Sequence, residues 1–416
     1  VTGRCVDSAL VLAPAIHRFG WKWNDYDRLS QASLAGHVIE CGTQCTGGNF
    51  TDWESVPGRE NVGFPIVRLE DGGDFLVTKP SGTGGLVSVA TVAEQVLYEI
   101  GDPANFLLPD VICDWTNIRI EASGPDRVRI SGAKGRAPTA TYKVSATELA
   151  GFRISTTASV SGGPAREKAR SIGEAILKRC SHALHERGIG PYSETRIEAL
   201  GGGDQFLLRI SAAHDDAKAL ELLAKEIAPA ATSLAPGVTS LLGGRAQPSP
   251  RVRFGSFLIA KSEVSVTAEV GSQSKPVSVA SDTIGAPTVS SSSAPAITKR
   301  GETVTVALGK IVYARSGDKG NDVNIGVIAR DPKWLSVIRE RLGISTLIRV
   351  FEEDFDSRTN REVLLWDVPG LNAVNFLLKD CLGGGGSYSL RIDPQGKAFA
   401  QRLLATPIEI PKDLAP

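Results

Sequence analysis

Residues able to do chemistry gather at three places along the chain. The first is the run from His37 to Trp53, HVIECGTQCTGGNFTDW. A short apolar piece leads into a loop that offers a carboxylate at Glu40, a thiol at Cys41 and amides at Gln44 and Asn49. A glycine pair there lets backbone approach a ligand closely. Glu40 suits general acid–base work, Cys41 with His37 as its base suits nucleophilic attack, and Asn49 suits stabilising an oxyanion. The spacing of His37, Cys41 and Cys45 also suggests a metal, but the intervening glycines oppose a helix that would face all three together, and no further ligand pair follows. Buried small cysteines and a hydrogen-bonded histidine in a tight turn are the plainer reading of the same residues.

The second place is Thr78–Gly85, TKPSGTGG, shortly before an expected helix. Glycines in a turn can aim several backbone N–H groups at one point, and a nearby helix N-terminus adds positive potential. Lys79 with the backbone of Gly82, Thr83, Gly84 and Gly85 is therefore a candidate cradle for a phosphate or carboxylate, with an ordinary structural turn as the alternative. Neither the P-loop pattern nor the dinucleotide fingerprint is met here. The third place is Ala314–Asp322, ARSGDKGND, between two expected strands. Asp318, Lys319 and Asn321 could grip a polar substrate group there; the composition fits a hairpin turn equally well.

Elements of mixed type must position these groups. Thr91 as N-cap with Glu94 three residues on predicts a helix, continued by Val92, Val96, Leu97 and Ile100 and stopped by Gly101 and Pro103. From Gly151 to about Val270 the patterns read strand, helix, strand, strand, helix, strand, the order of a ferredoxin-like split βαβ. Residues 271–303 are rich in Ser, Pro and Ala with neither period, and read as a disordered linker. Beyond it, strands are expected at TVALGKIVYARS, NDVNIGVIAR, LIRVFEEDF, REVLLWDV and SYSLRID. Helices are expected from Pro332 to about Leu342, at LNAVNFLLKDCL and from Lys397 to Leu404. The expected organisation is an α/β part at 1–150, the split βαβ at 151–270, the linker at 271–303 and a small α+β domain at 304–416.

Composition narrows the class. The chain has 416 residues, enough for two or three domains with real cores. Lys+Arg and Asp+Glu are 46 each, so bulk electrostatics offer nothing to nucleic acid or an anionic membrane. No apolar run approaches the length of a membrane span. Six scattered cysteines with no C-x-x-C read as reduced thiols of a cytoplasmic protein. Met is absent even at position 1, so we expect the native N-terminus to lie upstream of Val1, and organelle targeting stays open.

Long motifs carry a family resemblance. HVIECGTQCTGGNFTDW, NVGFPIVRL, FLVTKPSGTGGLVSVATVAEQVLYEIGDP, LPDVICDW and YKVS resemble the acyclic terpene utilisation AtuA-like family. ALGKIVYARSGDKGNDVNIGVIAR, LNAVNFLL and LGGGGSYSLRIDPQGKAFAQRLL resemble that family's ferredoxin-like C-terminal domain. The resemblance implies a further α/β segment upstream of Val1, and Cys45 stands where the family pattern usually has a small residue. The resemblance implies an enzyme of acyclic terpene or branched-chain acyl-CoA catabolism, of hydratase, lyase or thioesterase type. The cofactor is unknown, a CoA thioester is a candidate substrate, and no metal is expected. The alternative is a non-catalytic subunit of an acyl-CoA carboxylase-type complex. A small-molecule substrate, and a homo-oligomer or a carboxylase as protein partner, are the implied associations.

Overall fold

A computed structural model describes residues 5–239, 244–279, 284–288, 301–356 and 360–416. By contacts the chain forms two compact units. One comprises Val1–Val144, Phe257–Cys381 and Gln395–Pro416; the other comprises Ser145–Ser256 and Leu382–Pro394. The loops bearing Glu40, Lys79 and Asp318 thus share a unit.

In the first unit, helix Tyr26–Ile39 is buried from Leu29 to Val38. Helix Ala9–Phe19 packs on it. Around it lie a four-stranded antiparallel sheet (Ile66–Leu69, Phe75–Thr78, Val128–Ser131, Arg119–Ala122, in spatial order) and a three-stranded one (Phe106–Leu107, Ile112–Asp114, Lys134–Arg136). Trp115, Phe75 and Leu97 are fully buried among them; such side chains contribute about 1.5–3 kcal/mol each. The expected helix is present as Val89–Val96, but its cap differs. Ser88 is the N-cap and Thr91 is the reciprocal partner of the capping box. Glu94 is instead buried, where its two oxygens accept from the Thr51 N–H at 3.1 and 3.3 Å. Hydroxyl at both Ser88 and Thr91 makes two registers legible, and the earlier one lets Thr91 face inward.

The C-terminal part of this unit is a four-stranded antiparallel sheet in the order Val312–Lys319, Asp322–Ala329, Ala373–Leu378, Val363–Val368. Helices Leu335–Arg341, Ile344–Val350 and Phe399–Leu404 accompany it. Three expectations are corrected here. LNAVNFLLKDCL holds a strand, Ala373–Leu378, with all six residues buried. An apolar run covered on both faces has no alternation to distinguish it from a buried helix. LIRVFEEDF holds the end of helix Ile344–Val350 and a short 3-10 turn, and SYSLRID forms bends without a strand.

The second unit has the expected split βαβ order. Strands Ser249–Ala260, Thr141–Ser161, Gln205–His214 and Glu194–Gly202 are neighbours in that sequence, with helices Ala165–Glu186 and Ala217–Glu226 supplying apolar faces. Within the stretch expected as a disordered linker, Gln273–Val277 pairs with Val266–Val270 as a hairpin. The Thr288 N–H donates to Asn105 Oδ1 at 2.8 Å. Residues 280–283 and 289–300 of that stretch lie outside the described residues. The chain is therefore a mixed α/β and α+β protein with several small sheets.

Candidate active site

The C-terminal end of helix Tyr26–Ile39 delivers the first residues. His37, in its last turn, is buried against Trp115 and Phe106, with ring centroids 5.3 and 5.9 Å away. Its Nε2 lies 3.0 Å from the Gln95 carbonyl and 3.2 Å from the Val96 carbonyl, so Nε2 carries the proton and donates. Burial, then the charge of Lys319, lowers its pKa to about 4. His37 is thus a neutral clamp between two helices at ordinary pH, and its Nε2 proton is committed to backbone.

Beyond Ile39 the chain leaves the helix with extended geometry at Glu40 and turns through left-handed conformations at Cys41 (φ 59°) and Gly42 (φ 68°). This turn folds the Cys41 thiol back onto Glu40, donating to Oε2 at 2.7 Å. Gln95 Nε2 reaches the other oxygen at 3.4 Å while donating to the His37 carbonyl at 3.0 Å. Burial raises the Glu40 pKa, with Asp7 and Glu99 adding repulsion against the thiol's opposing hydrogen bond. Burial and the neighbouring Glu40 carboxylate push the Cys41 thiol up to about 12. It is therefore a proton donor to Glu40 at neutral pH and not a thiolate. Asn49 Nδ2 donates to Gln44 Oε1 at 3.1 Å, an oxygen that also accepts from Arg315.

The remaining groups come from the helix Val89–Val96 exit and from the C-terminal sheet. Leu97, Tyr98 and Glu99 lie on two glycines of that sheet. A Cβ at Gly317 would meet Glu99 Cγ at 2.5 Å and Tyr98 Cε2 at 2.7 Å, and one at Gly326 would meet Leu97 Cβ at 2.5 Å. Glu99 itself is left-handed (φ 54°), a conformation held by its surroundings. Lys397 then joins three segments, bonding Glu99 and the Tyr98 hydroxyl and reaching Asp318 Oδ1 at 3.1 Å. Burial alone would raise the Glu99 pKa, but Lys397 and the Tyr98 hydroxyl outweigh it and hold Glu99 low. Asp318 is raised, mainly by burial and against the pull of Lys397.

Lys319 stands beside this network in a different state. Its residue area counts as exposed, yet surrounding protein displaces enough water to lower its pKa. Part of the residue thus meets solvent while protein crowds its ammonium. Glu99, Lys143, Asp318 and Glu40 all act on its charge, and its Nζ lies 5.5 Å from the centre of the Phe106 ring.

The other expected residues are used differently. Lys79 donates to the Thr83 carbonyl at 2.8 Å and pairs with Asp126 at 3.2 Å, with its side chain 8% exposed. Around it the glycine loop packs tightly: a Cβ on Gly84 would lie 1.9 Å from the Gly58 carbonyl oxygen, and one on Gly85 2.7 Å from the Thr46 oxygen. Gly82 is left-handed with open space around it, and the Thr83 hydroxyl donates to the Pro80 carbonyl at 2.7 Å. Asn321 shapes the two-residue turn between strands Val312–Lys319 and Asp322–Ala329. Its Nδ2 donates to Asp380 Oδ1 at 2.9 Å. Among the described residues no group of three or more His, Cys, Asp or Glu side chains is placed to hold a metal, and no helix is long and apolar enough to cross a membrane.

Glu40, Cys41, Asp318 and Lys319 therefore share one charged neighbourhood. Gln95, Tyr98, Glu99, Arg315 and Lys397 complete it without having been singled out from sequence. The legible signal for them was indirect: glycines at 317 and 326 in strands otherwise built of larger residues mark where another backbone approaches.

The family model for the acyclic terpene utilisation family protein AtuA matches residues 1–270, and the model for the AtuA ferredoxin-like domain matches residues 306–409. No curated protein and no solved structure gives a significant match. By these matches the chain belongs to the AtuA family of acyclic terpene utilisation proteins.

Proposed function

We propose that this protein is an enzyme of acyclic terpene breakdown that moves a proton at a branched acyl substrate, carried as a CoA thioester or as the free acid. Glu40 is the acid–base group. The observation that supports this best is the pairing of the raised Glu40 carboxyl with two donors that fix both of its oxygens, Cys41 Sγ and Gln95 Nε2. A carboxyl that burial makes a weaker acid holds and releases a proton more readily in catalysis than a solvated one. Burial raises Glu40 in this way, and the thiol and amide keep the group oriented between cycles. Lys397 holds Glu99 ionised and Tyr98 in place. A fixed array of charge thus stands beside the reacting carbon before the substrate arrives. Free cysteines, with Cys41 exposed, fit a reducing compartment and a cytoplasmic reaction.

The test is hydrogen exchange. The protein is incubated in D2O with a panel of branched acyl-CoA thioesters and the corresponding acids, and deuterium in the substrate is read by mass spectrometry. Wash-in or turnover on at least one member, lost in Glu40→Gln with an unchanged melting temperature, is the expected result. No wash-in and no turnover across the panel, or exchange indifferent to Glu40→Gln, would overturn the assignment.

A further inference from the structure

Lys319 differs from Lys397 and Arg315, the cations that tie the cluster together. Lys397 spends its ammonium on Tyr98, Glu99 and Asp318, and Arg315 spends a guanidinium N–H on Gln44. Among the described residues the Lys319 side chain makes no hydrogen bond and no ion pair; the centre of the Phe106 ring lies 5.5 Å from its Nζ, and the Lys143 side chain likewise has no such partner. The groups whose charges act on it are Glu99, Lys143, Asp318 and Glu40, and its own charge acts on His37. A hairpin turn fixes its backbone, since Lys319 and Asp322 are paired across the two-residue turn. Part of the residue's surface remains exposed. An uncommitted lysine next to a second cation, in partly desolvated surroundings and with a carboxyl nearby, is the arrangement that activates an amine as a nucleophile.

We propose that Lys319 is a covalent catalyst whose amine adds to the carbonyl carbon of a ketone- or aldehyde-bearing substrate, with Glu40 moving the protons. The substrate class is then a carbonyl compound with an apolar branch against Phe106. In the first step the lysine nitrogen bonds to carbon and the C=O π pair moves to oxygen, which takes the Glu40 proton. Glu40 next recovers a proton from the nitrogen. It then returns that proton to the hydroxyl, which leaves as water. Ketone, amine and protonated carboxyl become protonated imine, carboxylate and water, so no oxidant or further reactant enters. The imine nitrogen can then accept the electron pair of an adjacent C–H or C–C bond. The proposal rests on reading this cluster as the reacting centre.

Borohydride trapping tests it on the full chain. The protein is treated with acetoacetate, and separately with formaldehyde as a probe small enough for any recess. Sodium borohydride is added, and peptides are mapped by mass spectrometry. The expected result at pH 7.5 is a reduced adduct on the peptide bearing Lys319, formed several-fold faster than on exposed lysines such as Lys134, and absent in Lys319→Arg. If exposed lysines are modified while Lys319 stays unmodified by both probes, the proposal is overturned; wild-type mapping decides this even where a variant fails to fold. The deuterium exchange described above separates the two readings. Exchange that persists in a folded Lys319→Arg leaves Glu40 as acid–base group and removes the imine. Trapping at Lys319 without exchange on any substrate keeps the imine and removes the acid–base assignment.

Discussion

Lys79 and Lys319 both stand at glycine-bearing turns of the first unit, and both are crowded by protein. Lys79 meets Asp126 at 3.2 Å and the Thr83 carbonyl at 2.8 Å. The Lys319 side chain makes no hydrogen bond or ion pair among the described residues, although Glu40, Glu99 and Asp318 are near enough to act on its charge. The comparison separates two uses of the same residue type. A cation closed on its own loop holds the loop together. A cation kept partly desolvated without a partner lowers stability, because its lost hydration is not repaid within the fold. Perturbed groups of that kind concentrate at functional sites. In the loop read as a candidate anion cradle the lysine is paired within the fold, and the hairpin turn carries the lysine whose side chain has no partner.

The largest effect that would sharpen the contrast is at Gly84. A methyl group there would meet the Gly58 carbonyl oxygen at 1.9 Å, and backbone cannot rotate away as a side chain can. Gly84→Ala should cost about 3 kcal/mol, the upper part of the range for overpacking. Urea denaturation measures it; a change within about 0.5 kcal/mol would mean the 78–85 loop is not the packed turn described here. Lys79→Met comes next. It leaves Asp126 without its cation while the Val87 N–H still holds the other carboxylate oxygen at 2.9 Å. A loss of about 1–2 kcal/mol follows, moderated because the Asp126 side chain is 37% exposed.

Cys41 carries the third prediction. The residue is exposed, yet its thiol is pushed up to about 12, first by desolvation of the sulfur and then by Glu40. Alkylation by iodoacetamide between pH 7 and 9 should therefore be slower than for the exposed Cys5. Glu40→Gln removes the carboxylate's share, so it should speed alkylation of Cys41 several-fold. Equal rates for Cys41 in both proteins would break the coupling on which the Glu40 assignment depends.

Legibility from sequence followed what each signal encodes. The Glu40–Cys41 loop and the Asp318–Lys319 turn stood out because acid, base and thiol side chains crowd among glycines, and composition shows that directly. The split βαβ was readable because its strands and helices differ in period. Glu99 and Lys397 were not. Each sits in an unremarkable local sequence, and they meet only because helix Val89–Val96 ends against Gly317 of a strand more than two hundred positions later. Ala373–Leu378 was misread for a related reason: burial on both faces is a tertiary fact that removes the alternation a strand shows in isolation. Lys79 shows the converse limit. Its glycines advertise backbone freedom, but only the fold reveals that the freedom is spent on contacts with Gly58 and Thr46.

The smallest predicted effect is the most discriminating one. Lys319→Met removes a charge that has no partner, so it should leave stability at neutral pH unchanged or slightly raised, by less than about 1 kcal/mol because the residue is partly exposed. The pH dependence gives its sign. Burial, followed by repulsion from Lys143, holds the folded pKa below the ordinary 10.5 against the pull of Glu99 and the other carboxylates. Between the folded and unfolded values the unfolded chain binds the extra proton, so wild-type stability rises as pH increases toward 10.5. Lys319→Met has no such proton, and its advantage over wild type should shrink across that window. Paired urea titrations from pH 7 to 10.5 measure the closing gap. Were Lys319→Met instead to lose as much stability as Lys79→Met, Lys319 would be a structural cation like its counterpart, and the distinction between the two turns would collapse.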